Sequence, residues 1–291
     1  MGLLDGLRTA FLLAVGLLLA AGGWAATTGE LPVLVPPDVL ADYRTWLGAR
    51  DPLAVKDFTG PGARRDVVEL ALLQQALVAG GEARAVAFEE SPSYQRILVE
   101  LKAGHALLLG TSAWRADLAA LGDDVAISAP LVAEGGSLAG LYTAPGNTRA
   151  LAARSLAEVR GLSAVSNQGW TTDWAVLQRI APARLDHTPS WEAMVRLVSA
   201  GKADVLLAPF QPGEDLALSA FGLRLVPVPG LAVALPGSRH LATSLRHPLG
   251  AAVAAALDRG LARLAADGVL ARAYRDAGFL SDRMAGWTRI P

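Results

Sequence analysis

Cysteine is absent from the 291 residues. That excludes disulfides, cysteine-ligated zinc, iron–sulfur clusters, thiol nucleophiles and lipid attachment at a cysteine. Charge is scarce: Asp, Glu, Lys and Arg make up 18% of the chain and nearly cancel, to a formal −1. No strongly basic surface of the kind that tracks nucleic-acid phosphates can be built from that balance. Histidine occurs only at positions 105, 187, 240 and 247, and no two of these sit four apart around a Glu, so the common zinc-protease helix is missing. Also missing are the Gly-x-Ser-x-Gly elbow, the phosphate-cradling Gly-x-x-x-x-Gly-Lys-Ser/Thr and the dinucleotide Gly-x-Gly-x-x-Gly. The acidic pair Glu89–Glu90 reads as a solvated loop edge rather than a general acid and base. With no catalytic, metal or cofactor constellation, a binding protein is expected in place of an enzyme.

Long apolar runs are confined to the start. Thr9 to Ala21 carries no charge but is short for a membrane span, which needs ~20 residues. Gly23 and Ala25 put small residues where a signal peptidase reads, so residues 1–25 are expected to be a cleaved secretory signal, with an uncleaved N-terminal anchor as the alternative. Export without cysteine fits the periplasm, where disulfides are allowed but not required.

Beyond residue 26 the chain alternates strand and helix signals. Leu31–Val35 is an apolar run stopped by Pro36 and Pro37, expected to be a strand running into a loop. Asp66–Val78 has helical spacing and is ended by Gly80–Gly81. Ala83–Phe88 reads as a strand, Ser93 caps a helix closed by Gly104, and Ala106–Leu109 is an apolar strand. Strands at 162–165 and 203–207, with helices at 172–180 and 190–200, repeat the grammar. Helices at 249–266 and 269–277 complete it. Such alternation predicts an α/β fold with largely parallel sheets.

An internal echo organises this pattern. Pro92-Ser93-Tyr94 is matched at an offset of 97 by Pro189-Ser190-Trp191, and Ala103-Gly104 by Ala200-Gly201. Each copy is a capped amphipathic helix, a glycine stop and a buried strand. Two similar lobes follow if the match is more than the shared form of any helix–Gly–strand unit. Ligands of open α/β sheets bind beyond the carboxyl ends of the strands, so the loops after Leu109 and Leu207 should face one cleft. Gly135–Gly136 and Pro227-Val228-Pro229-Gly230 are the expected crossings between lobes, forming a hinge.

Several ordered pieces carry a resemblance: Leu98-x-x-Leu101-x-x-Gly104, Gly110-Thr111-Ser112-Ala113-Trp114-Arg115, Ser128-Ala129-Pro130, Leu156 to Gly161, Gly201-Lys202-Ala203-Asp204, and Leu257 through Leu270. Together they resemble the type II periplasmic solute-binding proteins of the family 3, amino-acid type. They also resemble a less characterised subgroup with a Gly…Trp loop in lobe two, no assigned ligand and a degenerate ligand site. The resemblance implies an α/β, two-lobed, periplasmic-binding-protein-like (type II) fold with two mostly parallel sheets and a double-crossing hinge. Lobe one would be 27–134 plus 232–291, and lobe two 135–231.

It also implies a site. Ser112 and Arg115 stand in the family's carboxylate-clamping loop, where a guanidinium forms paired hydrogen bonds to a carboxylate. The alternative for Arg115 is a solvated arginine beside Asp117. Gly169-Trp170-Thr171-Thr172 stands where the family uses a helix N-terminus to hold an anion, with a plain N-cap as the alternative. Trp114 and Trp170 flank these loops, either stacking on a flat ligand or packing within the lobes. The family's acid for a ligand ammonium falls at Pro209, so that counter-charge is missing unless Glu214 or Asp215 replaces it. The expected role is therefore binding of a small anionic, carboxylate-bearing solute for ABC-type uptake by an inner-membrane permease. The alternative is a sensory or accessory protein of the same fold that regulates a partner. Neither a cofactor nor nucleic acid is implied.

Overall fold

The computed structural model describes residues 29–291; the expected signal, 1–25, lies outside the described residues. Strand Leu31–Val35 opens the fold, and Pro36 does not start a loop. It is the N-cap of helix Pro37–Leu47, with Pro37 in the first turn, where a missing N–H costs nothing and the fixed φ suits the helix. Helix Arg65–Ala79 buries residues on all sides, including Val67, Val68, Leu70, Leu72 and Leu73. It runs through the middle of its lobe, packed against Gly250–Ala266 and Pro37–Leu47.

Two sheets carry the architecture. The first has the order Val86–Glu90, Leu31–Val35, Leu108–Leu109, Ala242–Ser244, Val125–Ile127. The second runs Leu218–Ala220, Leu223–Pro227, Ser137–Thr143, Val205–Pro209, Ser163–Ser166, Arg184–His187, with Leu231–Leu235 and Thr288–Ile290 added beside Ser137–Thr143. Both sheets are mixed, which corrects the mostly parallel expectation. Ladders are parallel where a strand belongs to a helix-linked unit: Leu31–Val35 with both Val86–Glu90 and Leu108–Leu109, and Ser163–Ser166 with both Arg184–His187 and Val205–Pro209. Ala242–Ser244 and Ser137–Thr143 run antiparallel to their neighbours. The reason is topological. Ala242–Ser244 and Ser137–Thr143 each arrive from the other lobe, enter at the cleft and run away from it, whereas the helix-linked strands run toward it; Thr288–Ile290, which also arrives from the other lobe, lies parallel to Leu231–Leu235 and runs toward the cleft.

The echo is present in three dimensions. Ser93 Oγ accepts from Arg96 N and Ser190 Oγ from Ala193 N, each at 3.2 Å. They start helices Tyr94–Ala103 and Trp191–Ser199. Gly104 (φ 81°) and Gly201 (φ 69°) then turn the chain through the left-handed region that glycine enters freely. The crossings are placed differently from expectation at one point. Gly135 turns the chain into Ser137–Thr143 of the second sheet. Pro227 to Gly230, however, is a turn between two strands of that same sheet. The chain leaves only after Leu235, pairing Arg239–His240 with Ala113–Trp114 before entering the first sheet at Ala242. A third passage follows the last helix, Val269–Asp276, when Thr288–Ile290 adds to Leu231–Leu235 in the second sheet. Proline and glycine mark turns of either kind, so sequence alone could not separate a turn from a crossing.

Candidate functional site between the lobes

The parallel strands of the first sheet end at Val35, Glu90 and Leu109, and the segment after Leu109 builds the site. Gly110 has no room for a side chain, since a Cβ there would lie 2.7 Å from Val35 Cγ2. The tight approach delivers Ser112 to the middle of helix Arg65–Ala79. Ser112 is buried; its backbone N–H and its hydroxyl each donate to the Glu69 carboxylate at 2.7 Å. Glu69 is fully buried and also accepts from Arg65 Nη1 at 2.9 Å and from the Tyr274 hydroxyl at 3.0 Å. A carboxylate without water persists only when paired and hydrogen-bonded, and Glu69 has four such donors. Burial and the nearby Glu69 charge push the Tyr274 hydroxyl well above its ordinary range.

The Ser112 hydroxyl accepts from two guanidiniums, Arg65 Nη1 at 2.9 Å and Arg239 Nε at 3.0 Å. Arg239 Nη2 also donates to the Ser112 carbonyl. The Arg239 guanidinium lies flat over the indole of Trp114, 4.4 Å from the ring centre, a favourable cation–π arrangement. Backbone pairing of Arg239 with Trp114, and a bridge to Val132, fix its position. Arg65 has Glu69 as its counter-ion, whereas Arg239 forms no ion pair among the described residues. Burial, and then the like charge of Arg65, push the Arg239 guanidinium down to about 10, so it stays charged at neutral pH.

The second sheet presents its own loop. Asn167 follows strand Ser163–Ser166; its carbonyl oxygen accepts from Gly169 N at 2.8 Å and its amide donates to Pro189 O at 3.2 Å. Trp170 N-caps helix Thr171–Ile180 without a side-chain cap bond. Asp173, in the first turn, has its carboxyl raised by burial and held back chiefly by the Arg239 guanidinium. The two loops touch. Thr171 Oγ1 donates to Asp117 Oδ1 at 2.6 Å, and Tyr94 OH donates to Asp117 Oδ2 at 2.9 Å. A Cβ on Gly169 would lie 1.9 Å from Gln95 Nε2. Gln95 Nε2 and Ser91 Oγ are buried without a hydrogen-bond partner among the described residues.

The expected site residues divide on this geometry. Ser112 and Trp114 lie with Arg65 and Arg239. Gly169 and Thr171 face Gln95 and Asp117, and Thr172 sits half-buried beside them. Arg115 is exposed; its backbone N–H donates to Ser238 O at 3.0 Å, and its guanidinium makes no ion pair among the described residues. Trp114 is 5% exposed and packs into the apolar cluster of the second lobe with Leu141, Val233 and Leu235. Trp170 packs on Trp191, ring centres 6.1 Å apart, in its own lobe. Pro209 ends its strand between buried Ala208 and Phe210. Glu214 and Asp215 are exposed on the turn beyond; Asp215 pairs with Arg224, and both line an open groove of about 700 Å³ on the flank of the second sheet. That groove and a smaller one of about 220 Å³ contain none of the inter-lobe residues, and the buried charged cluster is the better guide to a site. Asp204, at the end of the Gly-x-x-Asp motif, is structural. It accepts from Ser163 N and Oγ at 2.8 and 2.7 Å and from Asn147 Nδ2 at 3.0 Å.

Sequence reasoning passed over Arg65, Glu69, Arg239, Asp117 and Asp173. A signal existed for the first two: a charged i, i+4 pair inside an otherwise apolar helix. Arg239 had none, because Ser238-Arg239-His240 reads as an ordinary polar loop. Among the described residues no group of His, Asp and Glu is placed to hold a metal ion, and no helix is long and apolar enough to cross a membrane.

No protein-family model matches the chain, and no curated protein matches it in sequence. Solved structures match in shape. The amino acid ABC transporter substrate-binding protein AbpA of Streptococcus pneumoniae, bound to L-arginine, superposes with a TM-score of 0.56 at 14% identity, over 86% of this chain and 94% of that one. The periplasmic VFT2 domain of Bordetella pertussis BvgS gives 0.54 at 16% identity, over 71% and 82%. An ancestral arginine-binding protein bound to arginine gives 0.52 at 13% identity, over 86% and 98%. What is shared at such identities is architecture: the chain has the two-lobed α/β fold of the type II periplasmic binding proteins.

Proposed function

We propose that this is an exported binding protein that takes a small, carboxylate-bearing anion between its lobes, with Arg239 as the guanidinium that receives it. The observation carrying this reading is a guanidinium that makes no ion pair among the described residues: Arg239 is clamped by Ser112 and stacked on Trp114, and the carboxyls of Glu69 and Asp173 act on it only through space. A partly desolvated, preorganised guanidinium offers two parallel donors to a carboxylate. Ser112 orients it, and the uncapped helix start at Thr171–Thr172 adds backbone N–H groups from the other lobe. Exposed Arg115 then serves the rim. In this reading the lobes divide at the passages after Ile127, after Leu235 and before Thr288, residues 1–25 are removed on export, and the protein delivers its solute to an ABC-type permease.

Titration calorimetry against acetate, malonate and L-glutamate tests the site. Arg239→Gln is expected to weaken binding about ten- to a hundredfold, while Arg115→Ala changes it less than about threefold. Equal binding by wild type and Arg239→Gln refutes the assignment, and no binding of any small acid by wild type refutes the solute. A sensory or accessory role is the second reading. It is favoured by Pro209 between buried Ala208 and Phe210, where the family places the acid for a ligand ammonium and this chain has no carboxylate. Permease and ATPase genes beside this one support delivery; a histidine kinase gene supports sensing.

A further inference from the structure

The two lobes are joined at the cleft by their own side chains. Asp117, in the short helix Arg115–Ala119 next to the first sheet, presents its carboxylate to helix Thr171–Ile180 of the second. One oxygen accepts from Thr171 Oγ1 at 2.6 Å; the other is held by Tyr94 OH at 2.9 Å, from the lobe-one copy of the echo helix. Trp170 supplies no side-chain cap to this helix, so the acid of the other lobe stands at a helix start that favours negative charge. A second contact lies alongside. Gly169 is packed so closely on Gln95 that a methyl group would fall 1.9 Å from its amide nitrogen. Gln95 Nε2 is buried there with no hydrogen-bond partner among the described residues, so the contact leaves one donor unsatisfied.

We propose that the cleft closes without a guest, with the Asp117 carboxylate acting as an internal ligand for the second lobe through Thr171. The latch keeps the resting protein in the closed shape, and an incoming solute or partner protein must break it. Closure then reports nothing about occupancy by itself; the regulated event is opening. The inference does not depend on which solute Arg239 receives, or on whether it receives one.

The test uses the chain's lack of cysteine. Cysteines introduced at Val99 and Gln178, both exposed and on helices of opposite lobes, carry a spin-label pair in otherwise wild-type protein. The protein is unfolded and refolded under dialysis to strip any co-purified guest. One short inter-lobe distance is expected without ligand. Thr171→Val keeps the shape and removes the donor. Because Thr171 is exposed, it should shift the closed-to-open ratio by roughly threefold to tenfold. Asp117→Ala should shift it at least as far, and Gly169→Leu should wedge the lobes apart. Circular dichroism confirms that each variant is folded. A ligand-free wild type with only long distances overturns the proposal, as does a Thr171→Val and Asp117→Ala pair that leaves the short distance untouched. Calorimetry separates this from the solute reading. With the latch intact but no acid bound, the solute reading fails alone. With an acid bound and the latch real, Thr171→Val should tighten that binding, because less of the protein is held closed.

Discussion

Glu69→Gln is the sharpest probe of how fold and site are coupled. The carboxylate is fully buried and receives Ser112 N, Ser112 Oγ, Arg65 Nη1 and Tyr274 OH. Glutamine keeps the volume but replaces one acceptor oxygen with an amide donor, facing groups that are themselves donors. Arg65 then loses its nearest counter-ion while its side chain is only 10% exposed. Asp66, 3.8 Å away, is its remaining acid. Removing one member of a buried pair costs about 3–5 kcal/mol; Asp66 argues for the lower end, about 3 kcal/mol. That is a large share of a total of about 5–15 kcal/mol and corresponds to a fall of roughly 6–12 °C in Tm for a chain of this size. Urea unfolding, followed together by tryptophan fluorescence and circular dichroism, measures it. A Glu69→Gln loss below about 1 kcal/mol refutes the argument that this carboxylate anchors Ser112, and with it the support for Arg239.

Two further outcomes follow from other parts of the chain. Hydrogen bonds from Ser163, Asn147 and Arg149 outweigh the opposing pull of burial and lower the Asp204 carboxyl to about 2. A depressed folded value stabilises the native state above the unfolded value of 3.8, by about 2 kcal/mol. This stability should disappear as the pH falls through about 2. Asp204→Asn should lose about that much at pH 7 and flatten the acid limb; parallel curves for the two proteins from pH 5 to 2 would contradict it. Helices Arg65–Ala79 and Gly250–Ala266 touch backbone to backbone, and a Cβ on Gly260 would lie 1.7 Å from Ala76 O. Gly260→Ala should therefore destabilise by about 1–3 kcal/mol or more, as overpacking does, despite alanine's better helix propensity. A variant of higher Tm would show that the helices part freely.

How far the fold could be read depended on whether its signals were local. Helix Arg65–Ala79, the Ser93 and Ser190 caps and the Gly104 and Gly201 stops are set by residues within a few positions of one another, and they stand where spacing put them. Pro37 was legible too, had it been taken as a first-turn proline rather than a breaker. Strand direction was not legible. Ala242–Ser244 and Ser137–Thr143 become antiparallel only because of where the chain re-enters a lobe.

The site shows the same division. The Ser112 hydroxyl was legible only through the resemblance of Gly110 to Arg115 to the family's clamping loop; that Gly110 is needed for a close approach emerges from its packing on Val35. Which guanidinium meets that hydroxyl was decided at a distance. Arg239 is 127 positions away from Ser112 in the chain and is brought there by a two-residue strand pairing with Ala113–Trp114. Arg115, next to the loop in sequence, is turned outward by the helix that begins with it. The sequence by itself determined that this chain would be cysteine-free, α/β and built from two echoing halves, since composition and short-range periodicity act through neighbouring residues. Only the tertiary structure decided which charges share the cleft, because burial and pairing are properties of the folded surface, not of order along the chain.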